Sequence, residues 1–173
     1  LARILPKSVS KAPCQELVFT GGEVDLERIP AQLCWPGDGG HYFTQTQVFT
    51  RDPATGARNV GMYRVQIFDR NTCGMHWQMH KVGAQHHREA EARGERVEVA
   101  IAFGGQPAMI YAASAPLPEG IDECLLAGFL ADRPIELVRG RTVNLEVPAE
   151  AEFIIEGYVE PGESVETAAA REV

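Results

Sequence analysis

The chain has 173 residues, of which 45% are hydrophobic and 23% charged, so it is long enough for one soluble globular domain with a sizeable core. Lys and Arg number 16 against 24 Asp and Glu, and the formal net charge of -8 argues against a nucleic-acid-binding surface. No apolar run approaches the roughly 20 residues that cross a bilayer, and the first residues lack a signal-peptide pattern. We therefore expect a cytoplasmic protein without a nucleic-acid partner or a membrane span.

The four cysteines are widely separated along the chain and form no CxxC pair. Structural zinc sites usually carry paired ligands a few residues apart, and disulfide frameworks are typical of much smaller secreted chains. Four reduced thiols are therefore the favoured interpretation. Because the first residue is not Met, we also expect the chain to begin inside a longer protein.

The predicted elements are mostly short strands separated by turn residues, taken here in chain order. Strands are predicted at residues 16–19, 45–50, 59–68, 74–78, 97–103, 122–130, 135–138, 143–147 and 153–159, and helices at 85–93 and 107–113. Many short strands with one or two helices indicate an α+β fold, mainly β, built on an antiparallel barrel. We expect an entry arm at 1–12, one domain at 13–160 and a polar tail at 161–173 that is disordered or a loose helix.

Three polar stretches could carry chemistry. In the first, strand alternation places Asn59 and Tyr63 on one face and Arg64 on the other. Asn59 can offer a carbonyl oxygen, and Arg64 can offer a planar guanidinium group whose N–H donors suit a carboxylate. The alternative, that Asn59 caps a hairpin and Arg64 is a solvated strand residue, is favoured from the residues alone.

The second stretch runs from residue 74 to residue 80 and places His76 and His80 on one side of an ideal strand, where either could ligate a metal. The nearby pair His86 and His87 lies in a charged helix and is interpreted as surface. The third stretch, 114–123, is a proline- and glycine-rich loop ending at Glu123, which is predicted to start a strand. Asn, His and carboxylate donors would suit Mn²⁺ or Mg²⁺ better than structural zinc.

Several ordered segments resemble the middle of the UbiD-type prenylated-FMN-dependent decarboxylase family. They include CWPGDGG (34–40), TRDPATGARNVGMYR (50–64), GMHWQMH (74–80), APLPEGIDE (115–123) and VPAEAEFIIEGYVEPGE (147–163). The resemblance covers about residues 12–163 and implies a split β-barrel of the flavin reductase-like FMN-binding type. Members of the family are reversible decarboxylases.

The resemblance also implies a role for particular positions. The family's divalent-metal ligands match Asn59, His80 and Glu123, which would hold Mn²⁺ (or Mg²⁺) against the flavin phosphate. A K⁺ ion would lie nearby on Val60, Ala112, Ala113, Ala115 and again Glu123. Arg64 matches the catalytic arginine that faces the substrate carboxylate. The implied contacts of prenylated FMN (or FMN) are Asn59, Val60, Met62, Arg64, Met79, His80, Ser114, Ala115 and Pro116.

Two departures from the family pattern affect what the resemblance implies. Ala113 stands where the family often has Ser, although Ser114 follows it. After Glu163 the family continues with a segment of the EGPFGE kind that carries catalytic glutamates, whereas this chain reads SVETAAA. We therefore expect the chain alone to be incomplete for catalysis.

Three functions stay open from the sequence. The first is the cofactor- and metal-binding domain of a carboxy-lyase for an aromatic or α,β-unsaturated acid, with other domains or subunits as partners and a homo-oligomer as one arrangement. The second is a non-catalytic flavin- and metal-binding module, or a subunit of a split decarboxylase. The third is an ordinary flavin reductase-like barrel, which would oxidise NAD(P)H without Mn²⁺ or K⁺.

Overall fold

A computed structural model describes residues 3–77, 80–118 and 120–163, and within them the chain has a mainly-β α+β fold. The strands are β1 (Lys7–Val9), β2 (Tyr42–Arg51), β3 (Arg58–Ile67), β4 (Cys73–Met75), β5 (Val97–Phe103), β6 (Glu136–Arg139), β7 (Glu146–Pro148) and β8 (Phe153–Val159). The helices are α1 (Val82–Glu91), α2 (Pro107–Ala112) and α3 (Glu123–Ala131). Short 3₁₀ turns lie at Pro13–Gln15, Gly21–Glu23 and Leu26–Arg28.

The larger sheet has the order β4-β3-β2-β5-β8, is antiparallel throughout and curls into a half-barrel. Its centre is the β2–β3 hairpin, in which Phe49 lies opposite Val60. The hairpin loop is closed by Asp52, whose carboxylate accepts from the backbone N–H groups of Ala54 and Thr55 at 2.6 and 3.0 Å. These backbone hydrogen bonds lower the pKa of Asp52. The loop therefore sets the register that places the polar residues of β2 and β3 opposite one another.

Both faces of the larger sheet are covered. On one face α1 packs through Ala90 against a cluster that includes Val48, Tyr63 and Val65. The opposite face packs against α2, α3 and the smaller sheet. Buried members of that second cluster include Phe49, Val60, Met109, Ala112, Cys124, Ala127, Leu137 and Val147. Because both faces are covered, the side chains at positions 46–50 of β2 are all buried, including three polar ones.

The smaller sheet has the order β1-β6-β7. β1 pairs parallel to β6, with Ser8 opposite Leu137, and β7 pairs antiparallel to β6. A strand therefore lies within the expected entry arm, and an otherwise antiparallel fold contains one parallel pair. No helix in the described part of the chain is long and apolar enough to cross a membrane. The expected tail falls outside the described residues from position 164 onward.

Most predicted strands are present, and the strand predicted at 97–103 is β5 with the same bounds. The strand predicted at 122–130 is wrong, because this segment forms α3. Its residues 123–131 contain no β-branched side chain and are rich in Leu and Ala, which favour a helix. Asp122 caps the helix by accepting from the N–H of Cys124 at 2.8 Å, so Glu123 begins a helix rather than a strand.

Three further strand predictions were wrong in position, extent or existence. Residues 16–19 form no strand, and Leu17 is 78% exposed, because no neighbouring strand pairs with this segment. β4 ends at Met75, so the predicted strand at 74–78 is cut short. The strand predicted at 143–147 is shifted to Glu146–Pro148.

Candidate functional site

The candidate site lies along the edge of β3 that β4 does not cover. β4 pairs with residues 65–67, and no other strand in the described part of the chain pairs with residues 58–64 on that side. There the N–H of Val60 donates to Oε2 of Glu123 at 3.1 Å, and the N–H of Met62 donates to the carbonyl of Ala113 at 2.9 Å. The end of α2 and the start of α3 therefore close this edge with a carboxylate and a backbone carbonyl.

Glu123 is held at this edge by its neighbours at the start of α3. Asp122 caps the helix through Oδ1, and its Oδ2 accepts from Nη2 of Arg58 at 3.0 Å. Arg58, the first residue of β3, also donates to Glu146 at 3.2 Å. Burial raises the pKa of the Glu123 carboxyl, and the N–H groups of Glu123 itself and of Val60 partly offset that effect. The Asp122 carboxylate raises this pKa further and the Arg58 guanidinium lowers it, so nearby cations stabilise a charged Glu123.

Asn59 lies next to this carboxylate along the strand and is only 8% exposed. Its Nδ2 donates to Oγ1 of Thr50 across the hairpin at 3.4 Å. Burial raises the pKa of Tyr63, the backbone of Gly83 and the side chain of Asn59 partly offset that effect, and the nearby Glu123 carboxylate adds to it. Asn59, Tyr63 and Glu123 therefore form one polar group.

A glycine makes room for the tyrosine ring in this group. Gly61 and Tyr63 project from the same face of β3, as strand alternation predicts. A Cβ atom at Gly61 would overlap the hydroxyl and ring of Tyr63. The sequence GMY is therefore needed for the ring to lie back along the strand.

Arg64 is held by the loop at 34–40. Its Nη2 donates to Oδ2 of Asp38 at 2.6 Å, and Asp38 has a side chain that is only 6% exposed. The guanidinium carbon lies 3.7 Å from the ring centroid of Tyr42 and 5.0 Å from that of Trp35. The loop motif was noticed in the sequence, but the role of Asp38 was missed because nothing in the spacing pairs it with Arg64.

The expected K⁺ loop lies against the same strand edge. The carbonyl of Ala113 accepts from Met62, and that of Ala112 accepts from the N–H of Ala115 at 3.1 Å. The Ser114 hydroxyl is exposed and donates to the carbonyl of Tyr111 at 2.7 Å. Pro116 follows as an exposed residue. Each carbonyl oxygen has a second lone pair, so its hydrogen bond leaves room for a further contact.

His80 lies in an exposed turn just before α1, and β4 has already ended at Met75. The expectation that His76 and His80 share one side of a strand is therefore wrong. No hydrogen bond within the described residues joins His80 to Asn59 or Glu123, and those residues contain no cluster of three His, Cys, Asp or Glu side chains able to hold a metal. The expected contact Met79 falls outside the described residues.

The interpretation of His86 as a surface residue is wrong. Its side chain is 4% exposed, and Nδ1 lies 3.0 Å from Oγ1 of Thr50. Burial lowers the pKa of His86, which favours the neutral imidazole. The signal that could have found it is helical spacing, because Gly83, His86 and Ala90 recur on the buried face of α1.

The class of protein follows from comparison with known families. Residues 7–171 match the family described as UbiD, the 3-octaprenyl-4-hydroxybenzoate carboxy-lyase Rift-related domain, and the chain therefore belongs to the UbiD family. This confirms the resemblance found in the sequence.

Among individual relatives, an uncharacterised protein of Aquifex aeolicus (strain VF5) is 52% identical over 159 residues, which are 92% of this chain and 32% of that protein. The UbiD-class enzyme HmfF of Pelotomaculum thermopropionicum, solved with FMN, is 34% identical with a TM-score of 0.87 over 92% of this chain and 36% of HmfF. The apo 3,4-dihydroxybenzoic acid decarboxylase AroY of Klebsiella pneumoniae is 30% identical with a TM-score of 0.83, over 93% of this chain and 35% of AroY. The chain spans about a third of the length of these relatives.

Proposed function

We propose that this chain is the flavin- and metal-binding region of a reversible, non-oxidative carboxy-lyase for an aromatic or α,β-unsaturated carboxylic acid. The observation that carries the proposal is the contact of the Glu123 carboxylate with the N–H of Val60, beside Asn59. Membership of the UbiD family supports the reaction class, and the likeness to HmfF, solved with FMN, supports the flavin. The split β-barrel of the flavin reductase-like type is proposed on the same likeness.

The proposed divalent cation, Mn²⁺ or Mg²⁺, would be held by Asn59, Glu123 and His80. The residues fit such an ion in their chemistry, since amide and carboxylate oxygens are hard ligands. They fit it in their electrostatics too, because burial raises the pKa of Glu123 and a cation would offset the cost of its charge. His80, which lies in an exposed turn before α1, would complete the set.

The proposed monovalent cation, K⁺, would be held by backbone carbonyls and by Glu123. The loop at 112–115 already contacts β3 through Ala113 and Met62, next to Val60. Two cations at this edge would neutralise a carboxylate and a phosphate that otherwise repel each other. The flavin would then lie along the edge of β3, against Met62, Ser114, Ala115 and Pro116.

Prenylated FMN, when bound, would supply the electron sink for decarboxylation. The part assigned to this chain is to bind and orient. Arg64 would hold the substrate carboxylate, a function that suits a planar guanidinium group with several N–H donors. Asp38 already occupies Nη2 and holds the guanidinium against Tyr42, so the substrate would meet an arginine whose orientation is set in advance.

The acid that protonates the product is proposed to come from another part of the enzyme, since the catalytic glutamates of the family follow the matched segment. The chain spans about a third of its relatives, so the activity of the whole protein is also proposed. The alternative is a module that binds flavin and metal without turnover, or a subunit of a split decarboxylase.

The test is a titration of the purified chain with FMN, followed by flavin fluorescence, with and without Mn²⁺ and K⁺. We expect Mn²⁺ to tighten FMN binding in the parent chain, and E123Q and N59L to abolish that effect. E98Q removes a half-buried carboxylate on β5, two strands away from β3, and serves as the control. FMN binding that is indifferent to Mn²⁺, together with NAD(P)H oxidation, would favour a flavin reductase-like protein instead. CO₂ release on adding the remaining enzyme domains would separate a catalytic domain from a binding module.

A further inference from the structure

A line of three buried polar side chains runs from α1 through β2 to β3. His86, Thr50 and Asn59 are 4%, 0% and 8% exposed. Nδ1 of His86 lies 3.0 Å from Oγ1 of Thr50, and Oγ1 accepts from Nδ2 of Asn59 at 3.4 Å. Buried polar groups that are fully paired restrict one another to a single arrangement, so this line limits how the Asn59 amide can turn.

The backbone places these side chains in contact. Thr50 and Asn59 are directly opposite each other in the antiparallel pairing of β2 and β3, so both side chains project from the same face. α1 packs on that face, and His86 is on the buried side of the helix. A histidine, a threonine and an asparagine distant in sequence thus meet because of the register of one hairpin.

The hydrogen-bonding capacity of each group determines which atom donates and which accepts along this line of side chains. A threonine hydroxyl has one hydrogen to donate and two lone pairs to accept with. Since Oγ1 accepts from Asn59, its hydrogen can be donated to Nδ1 of His86, provided that Nδ1 carries no proton. Burial lowers the pKa of His86, which favours a ring with one unprotonated nitrogen, as that arrangement requires.

The consequence concerns the other end of the Asn59 amide. With Nδ2 committed to Thr50, Oδ1 of the planar group is directed away from Thr50. If the amide could rotate freely, its NH₂ group, which has no lone pair to offer, could face a cation instead. A fixed amide would present only the carbonyl oxygen to the metal.

We propose that His86 and Thr50 are positioning residues that fix the Asn59 amide so that its carbonyl oxygen faces the divalent cation. The inference rests on the proposed function, because it takes Asn59 as a metal ligand. Groups that orient a metal ligand typically change metal affinity by about 10–100-fold when removed. We expect a loss in that range when the line is broken at either residue.

The experiment measures the Kd for Mn²⁺ in the presence of saturating FMN, by the electron paramagnetic resonance signal of free Mn²⁺. T50V keeps the shape of the side chain but removes the hydroxyl, and T50S keeps the hydroxyl. H86L removes the ring nitrogen, and H86N retains a hydrogen-bonding atom near Nδ1. We expect T50V and H86L to weaken Mn²⁺ binding about 10–100-fold, and T50S and H86N to bind within about threefold of the parent chain.

Thermal unfolding without metal separates positioning from folding. If T50V and T50S are destabilised equally but only T50V loses Mn²⁺ affinity, the hydroxyl positions a ligand. If T50V fails to fold, H86L and H86N provide the same comparison on α1. Parent-like Mn²⁺ affinity in T50V or H86L, with a large loss in N59L, would overturn this inference and leave the proposed metal site standing. Parent-like affinity in N59L would overturn the metal site itself.

Discussion

Replacing Asp122 separates two contributions to the start of α3. Oδ1 of Asp122 caps the helix, and Oδ2 accepts from Nη2 and Nε of Arg58 at 3.0 and 3.3 Å. D122N keeps a capping oxygen but removes the charge, whereas D122A removes both. Loss of an N-cap costs about 1 kcal/mol. The ion pair has side chains 18% and 33% exposed, so it lies between a surface pair and a buried one.

We expect D122N to lower the free energy of unfolding by about 1–2 kcal/mol, because Arg58 retains its contact with Glu146, and D122A to lower it by about 2–3 kcal/mol. For a chain of this size, each kcal/mol shifts Tm by roughly 2–4 °C. Urea and thermal unfolding of both variants measure the difference. E150Q removes the exposed pair between Arg133 and Glu150 and should cost less than about 1 kcal/mol. Equal losses of unfolding free energy in D122N and D122A would refute a stabilising contribution of the helix cap. A D122N variant as stable as the parent chain would refute a stabilising contribution of the ion pair.

Three further substitutions test other parts of the site. G61A should lower the free energy of unfolding in urea by about 1–3 kcal/mol, because the new methyl group overlaps the hydroxyl of Tyr63. G157A places its methyl group in open space and serves as the control. Burial lowers the pKa of His86 in the folded state, so the stability that depends on its neutral form is present above about pH 6.5 and is lost as the pH falls through the lowered pKa. Thermal unfolding from pH 7.5 to pH 5 should therefore show a steeper loss in the parent chain than in H86N, and parallel curves would contradict this. If Arg64 holds the substrate carboxylate as proposed, D38N, which removes the charge that orients Arg64, should raise KM for the acid in the whole enzyme about tenfold or more. An unchanged KM would exclude that role.

The strands could be predicted well wherever one short pattern decided the structure. β5 has its predicted bounds because Val97 to Phe103 is rich in β-branched and apolar residues and ends at two glycines. The β2–β3 hairpin could be predicted from the turn residues between its strands. Its register decides which polar residues meet, but the turn sequence did not reveal that Thr50 lies opposite Asn59.

The parts of the site that were missed depend on contacts between distant residues. The sequence predicts a strand where α3 forms because an apolar run of eight residues, 124–131, fits a buried helix as well as a buried strand. Asp38 and Arg64 are 26 residues apart, and His86 and Thr50 are 36 apart, so no spacing rule joins them. Strand alternation gave the face of Asn59 correctly, whereas at His80 it failed because β4 stops at Met75.

The position of the site follows from an unpaired strand edge. A strand edge without a neighbour leaves N–H groups that must be satisfied, and in β3 two of them are at Val60 and Met62. A backbone carbonyl satisfies one of them, and a carboxylate satisfies the other. A neutral acceptor such as a glutamine would serve the N–H of Val60 equally well without the cost of a half-buried charge. The proposed cation would account for a charged residue at this point, and E123Q is therefore expected to keep the edge closed while it loses the metal.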